Sequence, residues 1–171
     1  MTIVGLPDAA VRESAERVSS AVSASALPKD DGTITVNLAP ADLKKEGPSF
    51  DLPIALAVVA CAEGVDLKGA GDCQIIGELA LDGSVRPVKG ILAAAIEAKM
   101  RGRKRLLVPL ENASEAAVVT GIEVFGVSGL RQAWDFLSGE KKLEPTVGRV
   151  SALYTADSYS VDLGEVQGQK H

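Results

Sequence analysis

The chain has 171 residues, 46% of them hydrophobic and 24% charged, which fits one soluble globular domain with enough apolar material for a core. Eighteen Lys and Arg against 23 Asp and Glu leave a net charge of −5, so there is no general electrostatic pull on nucleic acid or anionic lipid, and any such contact has to be local. The longest apolar run, 52–62, is interrupted by Pro53 and closed by Glu63-Gly64, and the first positive charge, Arg12, follows the apolar start instead of preceding it. Neither a membrane span nor a signal peptide is expected, and the location is read as cytoplasmic with no membrane partner.

Asp8 can cap a helix whose apolar residues Val11, Ala15, Val18 and Val22 share one face, and Leu27-Pro28 with Asp30-Asp31-Gly32 ends it. The period then changes to two: Ile34, Val36 and Leu38 alternate with Thr33, Thr35 and Asn37, as in a strand with one buried face. Asp42, Lys44, Lys45 and Glu46 mix signs in what reads as a solvated turn. The run 52–62 is apolar on nearly every side, which predicts a central helix covered on most of its circumference. Cys73 to Leu81 reads as a strand, Asp82-Gly83 as a hairpin turn with Asp82 and Arg86 in structural roles, and Ser84 to Val88 as the returning strand. A helix near 90–101, a strand at 105–108, a helix after Asn112, a strand at 123–127 and a helix at 128–137 complete a mixed α/β domain. Asn112 with Glu115 has the spacing of a capping box, and Leu130, Ala133, Trp134 and Leu137 form one stripe.

Cysteine and histidine mainly exclude. Cys61 and Cys73 lack the close spacing of zinc or redox pairs and are expected to be packing residues. The single histidine is His171, the last residue, so Ser-His-Asp and Cys-His catalysis have no imidazole to use. Among common serine mechanisms only a Ser-Lys pair stays open, and that raises the question of Ser49 in Lys44-Lys45-Glu46-Gly47-Pro48-Ser49-Phe50-Asp51: a nucleophile on a tight turn, or a cap or turn residue at a helix start. No GxxxxGK[ST] occurs, so no phosphate-cradling loop is present.

Three long stretches carry a resemblance: IVGLPDAAVRESAERV at 3–18, ITVNLAPADLKKEGPSFDLPIAL at 34–56 and GELALDGSVRPVKGILAAAIEA at 77–98. They resemble the amino-terminal domain of the magnesium-chelatase-like AAA+ ATPases, the ComM or YifB family. The resemblance implies the fold of the Lon protease proteolytic domain, related to ribosomal protein S5 domain 2. It implies a Lon-like domain at 1–139, without the first strands that family members carry before IVGLPD, so that the chain is truncated or starts internally with an open sheet edge. A linker at 140–161 and the start of an AAA+ ATPase module at 162–171 would follow. The function implied is that of a non-catalytic accessory domain of a DNA-processing motor that drives branch migration in natural transformation. Its partners would be the ATPase module of the same polypeptide, other subunits of a hexamer, and DNA. ATP and Mg would belong to the full-length family, with no cofactor and no metal in this chain.

Compared with Lon, Gly47-Pro48-Ser49 retains the nucleophile turn, while Phe50-Asp51 replaces two small residues and would set a carboxylate against a developing oxyanion. The same comparison aligns Leu92 with the catalytic lysine, which removes the base, and leaves Lys89, three residues earlier, as a substitute if the helix includes it. A Ser-Lys peptidase of Lon type therefore stands as an alternative, as does a magnesium chelatase subunit, suggested by the family name. The one dense basic cluster, Lys99, Arg101, Arg103, Lys104 and Arg105, is the candidate nucleic-acid contact beside its plain reading as a solvated helix end.

Overall fold

The computed structural model describes residues 1–29 and 32–148; the expected ATPase start at 162–171 and the later part of the expected linker lie outside them. Asp8 opens the first helix as expected. Its carboxylate accepts from Val11 N at 2.8 Å, and α1 (Ala9–Ala24) presents Val11, Val18 and Val22 to the core. A short strand before it, β1 (Thr2–Val4), pairs in parallel with β2 (Thr35–Asn37). The central helix α2 (Asp51–Glu63) is nearly apolar on all sides, and Leu52, Ala55, Leu56 and Val59 are fully buried against α1 and the last helix, α5 (Leu130–Ser138). Gly64, in the left-handed conformation at φ 64°, ends α2.

The predicted strand from Cys73 to Leu81 is broken in two. β3 (Cys73–Ile75) joins β6 (Arg105–Pro109) and β7 (Glu123–Val127) in a parallel sheet of order β3-β6-β7, whereas β4 (Glu78–Leu79) forms a separate antiparallel hairpin with β5 (Val85–Arg86). The break falls at Gly77, where a methyl group would lie 3.0 Å from Leu52 Cδ2 and 3.1 Å from Val85 Cγ1. Only a residue without a side chain lets α2 and the hairpin approach this closely. α3 (Ile91–Met100) and α4 (Leu110–Ala116) cover the other face of the sheet through Ile91, Ala95, Ala98, Ala113 and Ala116. Leu143 packs on the main core, and Thr146 N donates to Val124 O at 2.7 Å, so the segment after α5 first runs along the outer edge of β7. No helix among the described residues is long and apolar enough to cross a membrane.

Four local expectations change. Cys61 lies on an exposed part of α2, while Cys73 is buried and its thiol is pushed up to about 11 by desolvation. Lys45 is buried, with its ammonium on Pro40 O and its backbone bridged to Pro7, so it belongs to the structure rather than to a solvated turn. Asn112 is not a cap: α4 starts at Leu110 after Pro109, and the Asn112 amide is turned onto the backbone of Val88. Asp51, read as a carboxylate set against a developing oxyanion at Ser49, is completely buried.

The Asp51 carboxylate accepts from Ser14 Oγ, from Arg17 Nε at 2.6 Å and Nη2 at 3.1 Å, and from Leu79 N at 3.3 Å. Arg17 also donates to Ala10 O at 2.9 Å, and its guanidinium is held further in the charged form by its bond to Asp51. Removing the cation would strand a buried anion. Arg17→Met is expected to lower stability by about 3–5 kcal/mol in urea unfolding, with Arg17→Met/Asp51→Leu recovering most of the loss. Equal losses in the single and double variants would contradict this account.

Candidate functional site

Residues 47–51 form the centre of the site. Gly47, at φ 77°, adopts a backbone that side chains disfavour, and Pro48 follows at the start of a 3-10 turn, Pro48–Phe50, which runs directly into α2. The turn is tied by three hydrogen bonds, one to Asp8 and two to Gly77. Gly47 N donates to Asp8 Oδ2 at 3.1 Å, Gly77 N donates to Ser49 O at 3.0 Å, and Leu52 N donates to Gly77 O at 3.0 Å. Ser49 is half-buried, and its hydroxyl has no hydrogen-bond partner among the described residues. It is a turn residue that caps nothing: the α2 N-cap is Phe50, without a side-chain bond.

Ser49 and Lys89 line two adjoining clefts, one of about 370 Å³ toward Glu46, Glu78 and Pro87, and one of about 380 Å³ toward Phe50, Gln74, Ile76 and Ile91. Lys89 is exposed and precedes α3, whose N-cap is Gly90. The helix therefore does not include it, and the shared helical face with Leu92 does not arise. Leu92 is 41% exposed on α3 and lines neither cleft. The segment carrying Lys89 is fixed from α4, because Val88 N donates to Asn112 Oδ1 at 2.8 Å and Asn112 Nδ2 donates to Val88 O at 3.1 Å. Asn112 is thus a positioning residue that the sequence pattern disguised as a helix cap. The Asp51 carboxylate is turned into the core and paired with Arg17, so the charge expected to oppose an oxyanion is compensated and faces away from the cleft.

The basic cluster divides. Lys99, Arg103 and Lys104 line a shallow cleft of about 490 Å³ with Gly121 and Glu123. Arg101 pairs with Glu97 at 2.7 Å on the α3 surface. Arg105 is bound to Asp72, through Nε at 3.0 Å and through Nη2, and to Gly69 O at 2.9 Å. It ties the β6 start to the loop before β3, and its guanidinium holds the Asp72 carboxyl below the usual range. Arg103 Nη1 donates to Gly71 O at 2.9 Å.

This mixed α/β domain, with a glycine-proline-serine turn set against a hairpin, is of the Mg-chelatase-like class. Residues 1–112 match the family model described as subunit ChlI of Mg-chelatase, and the chain belongs to that family. It is 36% identical to competence protein ComM of Haemophilus influenzae over 99% of this chain and 34% of that protein. It is 39% identical to the uncharacterized protein YifB of Salmonella typhimurium over 99% of this chain and 33% of that protein. A partial match, 31% identical over 50% of the chain and 11% of the relative, links it to the peroxisomal Lon protease homolog 2 of Caenorhabditis elegans. The chain spans about a third of the length of the ComM and YifB relatives, with 34% and 33% covered.

Asp8 joins the cap of α1 to the Ser49 turn, and its carboxyl is held below its ordinary 3.8 by the Val11 and Gly47 amides. A group with a depressed folded value contributes stability that is present above the unfolded value and is lost as pH falls through the folded one. Asp8→Ala should therefore unfold at a lower temperature than the unsubstituted chain at pH 7, and the gap should close as pH drops below 3.8. A gap of the same size at pH 7 and pH 2.5 would show that Asp8 acts through something other than its charge.

Proposed function

We propose that this chain is the non-catalytic amino-terminal accessory domain of a Mg-chelatase-like ATPase that processes DNA, as in branch migration during natural transformation. The observation that carries this reading is the similarity along 99% of the chain to about a third of a competence protein, 34% of its length. Hydrolysis of ATP with Mg falls, on this reading, to the AAA+ module of the same polypeptide, assembled as a hexamer. The sequence lacks the GxxxxGK[ST] loop that would cradle phosphates. The domain's contact with DNA runs through Lys99, Arg103 and Lys104, which share one cleft, while Arg101 is paired with Glu97. Arg105 is left out because Asp72 and Gly69 occupy its guanidinium.

A few phosphate contacts on one monomer give little affinity, and a ring multiplies them by linking sites. In the full-length hexamer, replacing Lys99, Arg103 and Lys104 by glutamine is expected to weaken branched-DNA binding by about tenfold near 0.15 M salt and to flatten its salt dependence. The same triple change in the 171-residue chain should leave its folding intact. A full-length variant that binds and processes branched DNA as well as the parent would overturn the DNA role.

The common cleft of Ser49 and Lys89 favours a second reading, a Ser-Lys peptidase of Lon type. The accessory reading expects no labelling of the chain by a fluorophosphonate probe, since a serine without a base is a weak nucleophile. Labelling that disappears in both Ser49→Ala and Lys89→Gln would establish the peptidase instead.

A further inference from the structure

α5 ends at Gly139, which takes the left-handed conformation at φ 85°, and the chain stays on the domain after it. Lys141 N donates to Asp135 O at 2.9 Å, and Lys141 Nζ donates to Asp135 Oδ2 at 2.6 Å. Leu143 packs on the main core. Thr146 N then donates to Val124 O at 2.7 Å on the outer side of β7. Gly148 lies against the end of α4, where a methyl group would stand 2.2 Å from Ala117 O and 3.1 Å from Val118 N. Residues 139–148 therefore pass from α5, by way of the β7 edge, to α4, and a side chain at 148 has no room.

The hold is light. Pro145 has no N–H to give, so among the described residues the segment meets β7 through one main-chain bond. Glu140, Lys142, Glu144, Pro145 and Val147 are exposed. The Lys141 side chain is 69% exposed, although the Asp135 carboxylate that it reaches is 4% exposed, and an ion pair with one arm in water adds little. A segment with so few buried contacts opens at a lower free energy than the whole domain.

The last two contacts of this segment bracket one short loop. Ala117 closes α4, Val124 belongs to β7, and 118–122 runs between the two elements. Gly121 and Ile122 of that loop, with Glu123 at the β7 start, line the cleft that holds Lys99, Arg103 and Lys104. The loop's own backbone bonds, Val118 N to Glu115 O at 3.4 Å and Val119 N to Ala116 O at 3.1 Å, lie at its α4 end. At its β7 end, Glu123 N donates to the cleft residue Lys104 through its carbonyl at 3.0 Å, and the next residue, Val124, is gripped by Thr146. Ile122 rests on the second core, which keeps the loop near the sheet, while the gripped ends set its position.

We propose that residues 139–148 form a releasable clasp: docked, it orders 117–123 and with it one wall of the basic cleft, and lifted, it loosens that wall while the core stays folded. This concerns the shape of the cleft and stands apart from the question of whether the cleft meets DNA.

The test is amide exchange by NMR on the 171-residue chain across low denaturant concentrations. The Thr146 amide should exchange through a local opening with little denaturant dependence, at a lower free energy than the Leu56 and Val59 amides inside α2. Gly148→Ala, which puts a methyl group onto Ala117 O, should speed Thr146 exchange by about tenfold or more. Lys141→Met, which leaves the Asp135 carboxylate without its ammonium, should do the same by lifting the segment at its other end. In both variants the Glu123 amide should also exchange faster, by about threefold or more, with Leu56 and Val59 unchanged. Thr146 exchange at the free energy of α2 would overturn the proposal, because the segment would then be part of the core. So would a Glu123 amide that stays as protected as in the parent once Thr146 is released, or an equal acceleration at Leu56 and Val59.

Discussion

The buried carboxylate of Asp51 governs how α1, α2 and the β4–β5 hairpin meet. Asp51 sits in the first turn of α2 with no exposed surface, and a charge so placed is costly unless it is paired and fully hydrogen-bonded. Its partners come from different parts of the chain: Ser14 and Arg17 from α1, and Leu79 N from the β4–β5 hairpin. Satisfying Asp51 therefore sets the crossing of α1 over α2 and brings the hairpin against both. The helix helps as well, because a negative charge in the first turn is favoured by the amides exposed there.

The candidate site inherits its geometry from this constraint. Ser49 lies two residues before Asp51, and its carbonyl accepts from Gly77 two residues before Leu79. The turn and the hairpin are thus joined twice, once through side-chain charge and once through backbone pairs. Lys89 reaches the cleft by a different route, on a segment clamped by Asn112 from α4. The serine and the lysine are placed by separate supports, the turn before α2 on the main core and a segment clamped from the sheet's second face.

Much of the architecture was legible in residue patterns, and the failures share a cause. The Asp8 cap, the apolar face of α1 and the stripe of α5 follow from local chemistry and periodicity, and they formed as read. Cys73 to Leu81 reads as one strand on its apolar residues Ile75, Ile76, Leu79 and Leu81, although Gly77 interrupts it. The break coincides with Gly77, where Leu52 and Val85 approach closely, a contact that local sequence does not announce. Asn112 has cap spacing, yet its amide serves Val88, 24 residues away. Asp51 looked like an obstacle near Ser49 because its partner Arg17, 34 residues earlier, leaves no local signature. The five cations form one run in sequence, but strand pairing commits Arg105 to Asp72 and leaves Lys99, Arg103 and Lys104 together. Each of these misses is a long-range contact, polar at Asn112, Asp51 and Arg105 and steric at Gly77, and such contacts have no period to read.

The central claim is that the Asp51 network makes α1, the Ser49 turn and the hairpin one cooperative unit. Native-state amide exchange across low denaturant concentrations tests it most directly, read at Leu79, whose N–H is held by Asp51, and at Gly77 and Leu52, whose N–H groups close the turn. If the account is right, these amides exchange only through global unfolding, with the same free energy and denaturant dependence as the interior of α2. Exchange of Leu79 and Gly77 through a smaller opening, while α2 stays protected, would contradict it.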